Sequence, residues 1–229
     1  MLKKILAGTV ALSLLGISLG CSTDALKQVL GDKTSSGSTT TTTPSTSTTT
    51  DYKPAVDAFK TEFNTEGKTP QGSVKMLFKA LIKIEEDPKL GEYLLSVVLR
   101  ADEMSENKSS PSGYDVGSSM RYLLDQMKAS PQIVRSYVGA KPADDYQNFD
   151  KNNLVIDYPA NGTLTGGVKI DNTLQYPDKD TDGRIYVKSS GKDTGTPIYF
   201  KKGTTGLWKI ESRSVSSIAT GVQAKPKEI

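Results

Sequence analysis

Three aspartates stand at alternate positions in the run D-K-D-T-D-G, residues 178–183. Carboxylates with this spacing in a tight loop can converge on one hard cation, and the glycine permits the sharp turn that brings them together. The run therefore predicts a calcium site formed by Asp178, Asp180 and Asp182. An EF-hand would also need glutamate at its twelfth position, where this chain has Ser189. A solvated acidic turn is the alternative interpretation.

Cys21 is the single cysteine of the chain. It follows residues 1–20, which begin with two lysines near the start and continue as an uncharged apolar run, the layout of a secretory signal peptide. The sequence ISLGC, ending at Cys21, resembles a bacterial lipobox, with Ser18 where that pattern prefers leucine. The resemblance implies that Cys21 is lipidated and becomes the first residue after cleavage. A plain secreted protein with an incidental cysteine is the alternative.

Composition excludes several catalytic classes. The chain has no histidine, which removes Ser-His-Asp and Cys-His catalysis, HExxH metalloproteases and most zinc sites. The sequence contains no phosphate-binding glycine loop of the P-loop or dinucleotide type. An enzyme would therefore have to use carboxylates, lysine, tyrosine or serine. The adjacent acids Asp144 and Asp145 and the pair Lys201-Lys202 are interpreted as solvated surface residues.

The charge balance argues against nucleic acid as a partner. The chain carries 29 Lys and Arg and 26 Asp and Glu. Loss of the two lysines in the predicted signal peptide leaves 27 basic and 26 acidic residues, a net charge of +1. This balance gives no sign of the basic patch that nucleic-acid binding requires.

The chain is predicted to have four regions. Residues 1–20 form a signal peptide, 21–33 the lipidated N-terminus, 34–50 a disordered linker, and 51–229 a single α+β domain. The linker is Ser or Thr at every position except one glycine and one proline. Such a composition cannot bury enough apolar surface to offset its ordering entropy, so the linker is a solvated tether.

The first half of the domain has the period of helices. Thr69-Pro70 and Asp87-Pro88 each place a capping side chain before proline at the first helical position. Apolar residues follow at helical spacing, and do so twice more after a polar loop at 105–118. The four predicted stripes are Val74, Leu77, Phe78 and Leu81; Leu90, Tyr93, Leu94, Val97 and Val98; Met120, Leu123, Leu124 and Met127; and Ile133, Val134, Tyr137 and Val138.

The second half changes to the alternation of strands, first in Leu154, Ile156 and Tyr158 and then in Val168 and Ile170. Residues 185–190, 196–202 and 207–213 are rich in β-branched and aromatic residues, and short glycine-containing segments connect them. They predict an antiparallel meander in which Trp208 and Ile210 point the same way. Helices followed by a meander define an α+β fold, with about four N-terminal helices packed on one face of a C-terminal antiparallel sheet.

Residues 73–87, 130–146 and 185–212 resemble a family of uncharacterised, often exported bacterial lipoproteins, a domain of unknown function. The likeness covers most of residues 69–221 and includes VKSSG at 187–191. It implies a shared fold and assigns no catalytic residue.

A looser resemblance links the opening TPQGSVKMLFKAL and the closing GLWKIES to the NTF2-like fold. It implies a curved sheet with a cone-shaped pocket, and a fold by itself does not give a function.

We expect a non-enzymatic binding domain of a lipid-anchored bacterial lipoprotein, in the cell membrane or outer membrane and facing the periplasm or the exterior. Its partners would be the membrane, through the anchor, and an envelope protein or a small ligand. No cofactor is expected other than calcium. One alternative is a carboxylate-dependent envelope enzyme of the glycan hydrolase type, and another is a calcium-stabilised structural module.

Overall fold

The computed structural model describes residues 50–165, 167–170 and 182–222. The predicted signal peptide, Cys21 and nearly all of the predicted linker lie outside these residues, as do Asp178 and Asp180. The described part has six α-helices and a three-stranded antiparallel sheet, with five of the helices before the sheet. The predicted α+β class is confirmed.

Both predicted helix start signals are confirmed. Thr69 Oγ1 accepts a hydrogen bond from the Gly72 amide at 3.0 Å, and Asp87 Oδ1 accepts one from the Leu90 amide at 3.0 Å. Each cap is followed by proline at the first helical position, where its missing N–H costs nothing. The helices of the first half are α1 Lys53–Glu66, α2 Pro70–Glu86, α3 Pro88–Val98, α4 Ser118–Ala129 and α5 Gln132–Arg135.

Two helices were not predicted from the sequence. Helix α1 buries Val56, Phe59 and Phe63, which recur at helical spacing. Helix α6 (Arg213–Ala219) follows the last strand and packs against the middle one. The fourth predicted helix is shorter than expected. It ends at Arg135, before an irregular turn that leads to Gly139 with φ +103°.

The predicted meander is confirmed. Strands β5 (Asp182–Val187), β6 (Thr196–Lys202) and β7 (Trp208–Ile210) lie in that order and pair antiparallel. Two hairpins of two-residue strands were not predicted. They are β1 (Ser105–Glu106) with β2 (Tyr114–Asp115), inside the polar loop, and β3 (Leu164–Thr165) with β4 (Val168–Lys169). Residues 154–158, whose alternation predicts a strand, form only an isolated antiparallel bridge between Asp157 and Lys188.

One face of the sheet and the helices share a single core. Its centre is α2, whose apolar stripe is fully buried. Trp208 and Ile210 point the same way, as predicted, and are 6% and 0% exposed. Ser73 Oγ on α2 donates to the Trp208 carbonyl at 2.6 Å, which joins the central helix to β7. The sheet residues of this core are Ile185, Val187, Ile198, Phe200, Trp208 and Ile210.

Candidate functional site: a serine-lined cleft

A cleft of about 750 Å³ lies between three segments of the chain, residues 136–141, 155–164 and 188–193. We call it the serine cleft, because Ser136, Ser189 and Ser190 line it. The first segment follows α5 and the third follows β5. Both belong to the stretches that carry the family resemblance, and the third contains most of the VKSSG run.

Hydrogen bonds between serines hold the first and third segments together. Ser189 Oγ donates to Ser136 Oγ at 2.7 Å, and Ser136 Oγ in turn donates to the Ile133 carbonyl. The Ser190 amide donates to the Ser136 carbonyl at 2.9 Å, and Ser190 Oγ donates to the Ala140 carbonyl at 2.6 Å. All three hydroxyl hydrogens are thus used in fixing the walls of the cleft. A nucleophilic serine would have to give its proton to a base, whereas these three hydroxyls donate to another serine and to backbone carbonyls.

The second segment is attached at two points. The Lys188 amide donates to the Asp157 carbonyl at 2.9 Å, and Tyr158 Oη donates to the Gln71 carbonyl in the first turn of α2 at 3.3 Å. Burial raises the pKa of the Tyr158 hydroxyl, so the group stays neutral and remains a donor. The segment is therefore anchored to both the sheet and the central helix.

Tyr137 anchors the inner side of the cleft. Its hydroxyl is 2.7 Å from Thr196 Oγ1, and its ring stacks on Phe78 of α2 with centroids 5.4 Å apart. Burial raises the pKa of Tyr137 to about 12, so this hydroxyl is also neutral near pH 7. Tyr137 joins the cleft to the core, which favours a preformed shape.

Three lysine side chains line the serine cleft. Lys141 and Lys188 are exposed, and neither forms an ion pair with any carboxylate in the described part of the chain. Lys192 Nζ donates to the Ser217 and Thr220 carbonyls at 3.3 and 3.1 Å, and burial lowers its pKa. Two exposed carboxylates, Asp157 and Asp193, also line the cleft. Lys141 and Lys188 are therefore the exposed ammonium groups of the cleft that form no ion pair within the described residues.

Apolar side chains line the same cleft as these ammonium groups. Val155 and Leu164 line the serine cleft and are 63% and 72% exposed. Among the described residues they are two of the three large apolar side chains that face solvent, the third being Tyr122. An exposed apolar pair at a concave site indicates a surface that a ligand covers.

A strained turn packs against the third segment of the cleft. Asp145 and Tyr146 have φ values of 54° and 60°, in the left-handed region that residues other than glycine rarely adopt. A Cβ added at Gly191 would lie 2.3 Å from Tyr146 Oη. Glycine is therefore required at the end of the VKSSG run, because the tyrosine hydroxyl occupies the space of a side chain.

Asp182, the described residue of the predicted calcium site, lies outside the serine cleft. Asp182 begins β5, and its Oδ1 is 4.0 Å from Lys201 Nζ and has no hydrogen-bond partner within the described residues. Its predicted calcium partners Asp178 and Asp180 lie outside those residues, so the calcium site stays a prediction. No group of three His, Cys, Asp or Glu side chains in the described ranges is placed to hold a metal ion.

The paired residues Asp144-Asp145 and Lys201-Lys202 lie outside the serine cleft. Asp145, Lys201 and Lys202 are exposed, whereas Asp144 is half-buried. Lys202 Nζ lies 5.4 Å from the Trp208 ring centroid. Two of the three segments that form the cleft lie in stretches that carry the family resemblance, yet no spacing pattern revealed that the three segments meet.

No helix among the described residues is both long enough and apolar enough to cross a bilayer.

Residues 54–226 match the family described as a domain of unknown function (DUF6935), and the chain belongs to that family. No curated protein and no solved structure matches the chain. The expected likeness to an uncharacterised domain family is thus confirmed. The lipoprotein character and the NTF2-like resemblance stay predictions.

Proposed function

We propose that this domain is a non-enzymatic binding module of a lipid-anchored bacterial envelope protein. Its serine cleft takes a ligand that has both an apolar part and an anionic group. The observation that carries the proposal is the placement of exposed Val155 and Leu164 on the same cleft as the ammonium groups of Lys141 and Lys188, which form no ion pair with a carboxylate among the described residues.

The construction of the cleft favours binding. Its walls are joined by hydrogen bonds among Ser136, Ser189 and Ser190, so little ordering is needed when a ligand enters. A preorganised site loses less conformational entropy on binding, and this raises affinity. Its volume of about 750 Å³ lies in the range typical of sites for small molecules.

The side chains of the cleft do not favour catalysis. Its serine hydroxyls donate to internal acceptors, and a general acid of the glycan hydrolase type needs a carboxyl group with a raised pKa. The pKa values of Asp57, Glu86 and Asp102 are lowered instead, chiefly by hydrogen bonds from lysine or arginine side chains. None of these three carboxyl groups lines the serine cleft.

The membrane anchor rests on the sequence. Residues 1–21 have the layout of a lipoprotein signal, and the Ser/Thr-rich segment 34–50 would hold the domain away from the bilayer as a coil of about 20 to 25 Å. The serine cleft would then meet ligands of the envelope near the membrane surface.

The test is a melting curve of the full chain with matched short-chain lipids. Dihexanoyl phosphatidylglycerol is anionic and dihexanoyl phosphatidylcholine is zwitterionic, with the same acyl chains. An acidic amphipathic peptide is the third probe. A ligand at 100 times its dissociation constant adds about 2.7 kcal/mol of stability, which is about 5 to 11 °C for a domain of this size.

We expect an anionic probe to raise the melting temperature and the zwitterionic lipid to have less effect. Lys188→Gln and Leu164→Ser should each reduce the shift, whereas Lys202→Gln, outside the cleft, should not. The proposal is wrong if neither anionic probe shifts the melting curve, or if both cleft variants respond like the unchanged protein.

A further inference from the structure

A second cavity, of about 270 Å³, lies between α1, α3, the β1–β2 hairpin and β7. We call it the Lys209 cavity. Its apolar walls include Phe63, Met104 and Leu207, and its polar side chains include two lysines, Lys60 and Lys209. Among the described residues, no aspartate or glutamate lines it. The cavity thus combines an apolar lining with two positive charges.

Both ammonium groups are held by backbone carbonyls. Lys209 Nζ donates to the Val97 carbonyl at 2.5 Å and lies 4.6 Å from the centroid of the Phe63 ring. Lys60 Nζ donates to the Pro111 carbonyl of the hairpin at 3.0 Å. An ammonium group has three N–H donors, so each lysine keeps donors beyond its one hydrogen bond to the backbone.

No carboxylate in the described part of the chain lines the cavity to neutralise the charge of Lys209. Burial and, to a smaller extent, the charge of Lys60 together lower its pKa to about 8. Neither lysine forms an ion pair with a carboxylate in the described ranges. Charged groups in apolar surroundings are normally paired, because desolvation of an unpaired charge is costly.

A capping role accounts for only part of this arrangement. The hydrogen bond from Lys209 to Val97 satisfies a carbonyl at the end of α3, a common role for lysine at a helix C-terminus. A carbonyl carries only a partial charge, and capping does not explain why Lys60 lines the same cavity. An anion with an apolar body would neutralise the charge of the two lysines and would contact the apolar walls of the cavity.

We propose that the Lys209 cavity binds a small organic carboxylate. The apolar body of the ligand contacts Phe63 and Leu207, and its carboxylate accepts hydrogen bonds from Lys60 and Lys209. The site shares no lining residue with the serine cleft, so it stands or falls independently of the function proposed for that cleft.

Three six-carbon probes separate charge from apolar contact: hexanoate, hexanol and hexylamine. Each is titrated into the full chain carrying Cys21→Ala, which removes the predicted lipidation site, and binding is followed by isothermal calorimetry. We expect saturable binding of hexanoate, at least tenfold weaker binding of hexanol, and none of hexylamine. Comparable affinities for hexanoate and hexanol, or no saturable binding of hexanoate, would overturn the proposal.

Two variants test the named lysines. Lys209→Met keeps a side chain of similar length and should weaken hexanoate at least tenfold, since hydrogen bonds to charged groups are among the stronger ones. Lys60→Met should act in the same direction and serves where Lys209→Met fails to fold. Lys201→Met, an exposed lysine on β6 outside the cavity, is the matched control. Hexanoate affinity that is unchanged in both cavity variants would also overturn the proposal.

Discussion

Arg135 and Glu85 form a multiply hydrogen-bonded ion pair that joins α5 to α2. The Arg135 Nε donates to both carboxylate oxygens of Glu85, at 3.2 and 3.0 Å, and Nη2 donates to Oε2 at 2.8 Å. Their side chains are 17% and 8% exposed. Arg135 also donates to Gln147 and lies against the Phe149 ring. One side chain therefore holds both α5, which leads into the serine cleft, and the loop that follows.

We predict that Arg135→Gln destabilises the domain by about 3 kcal/mol, because it leaves Glu85 nearly buried without its partner. The Arg135→Gln and Glu85→Gln double variant should lose less than the sum of the two single variants. Urea unfolding of all four proteins measures the coupling energy. Purely additive losses would show that the ion pair does not act as a unit.

Gly191→Ala should destabilise the domain by about 1 to 3 kcal/mol, because the new methyl group overlaps Tyr146 Oη. Tyr146→Phe in the same chain should recover part of the loss by removing that oxygen. Gly203→Ala is the matched control, since the nearest atom to its added Cβ is 3.6 Å away, at ordinary contact distance, and its φ is not in the left-handed region. Thermal unfolding reports both effects, and equal losses at the two glycines would contradict the assigned cause.

The ion pairs of Glu86 should make the free energy of unfolding depend on pH in the acidic range. Hydrogen bonds from Lys151 and Lys83 lower its pKa from 4.5 to about 2. A carboxyl group whose pKa is depressed by folding stabilises the protein above its unfolded pKa, and this contribution is lost as pH falls from about 4.5 to 2. The group is exposed, so the effect is no more than about 1 kcal/mol.

The measurement is the difference in unfolding free energy between the unchanged protein and Glu86→Gln as a function of pH. It should be present at pH 7 and shrink below pH 4.5. Glu106→Gln, which changes an exposed acid on the β1–β2 hairpin that forms no ion pair within the described residues, serves as the control for loss of a surface carboxylate. A difference that stays constant down to pH 2 would argue against the assigned ion pairs.

The calcium prediction can be tested through Asp182. Its Oδ1 lacks a hydrogen-bond partner within the described residues, so a cation would satisfy an otherwise unpaired oxygen. If D-K-D-T-D-G binds calcium, addition of about 1 mM calcium should raise the melting temperature, and addition of a chelator should reverse this shift. Asp182→Asn should weaken the response and Asp193→Asn should not. Identical melting with calcium and with chelator would leave the acidic turn as the correct interpretation.

Lipid anchoring is tested at Cys21. Cys21→Ala should abolish incorporation of labelled palmitate and release the protein from the membrane fraction. Ser22→Ala, at the next position, should leave both unchanged. Membrane association without label in either form would show that ISLGC is not a lipidation signal.

The fold was predictable where local chemistry determines it. Thr69 and Asp87 act as caps in the structure as their sequence context predicts, and the alternation of the last strands gives the meander. Helix α1 was missed although Val56, Phe59 and Phe63 have helical spacing, because the stretch follows directly after the predicted linker. The alternation at 154–158 predicted a strand that the chain does not form.

The serine cleft was not predictable in the same way. It depends on the pairing of Ser136 with Ser189, two residues that are 53 positions apart, and on the single bridge between Asp157 and Lys188. Neither contact has a period or spacing that can be read from one sequence. Burial of Lys209 is equally non-local, since α1, α3 and a hairpin surround a residue of the last strand.

The bond from Ser73 to the Trp208 carbonyl spans 135 residues and has a consequence for the order of folding. A chain synthesised from its N-terminus presents α1, α2 and α3 long before β7. Until Trp208 and Ile210 emerge, the apolar face of α2 lacks the strand that covers it. Contacts of such long sequence separation slow folding. The apolar face of α2 therefore stays exposed until β7 has been made. The core of the domain is thus completed only after β7 has been made, and until then its apolar surface is open to chaperones and proteases.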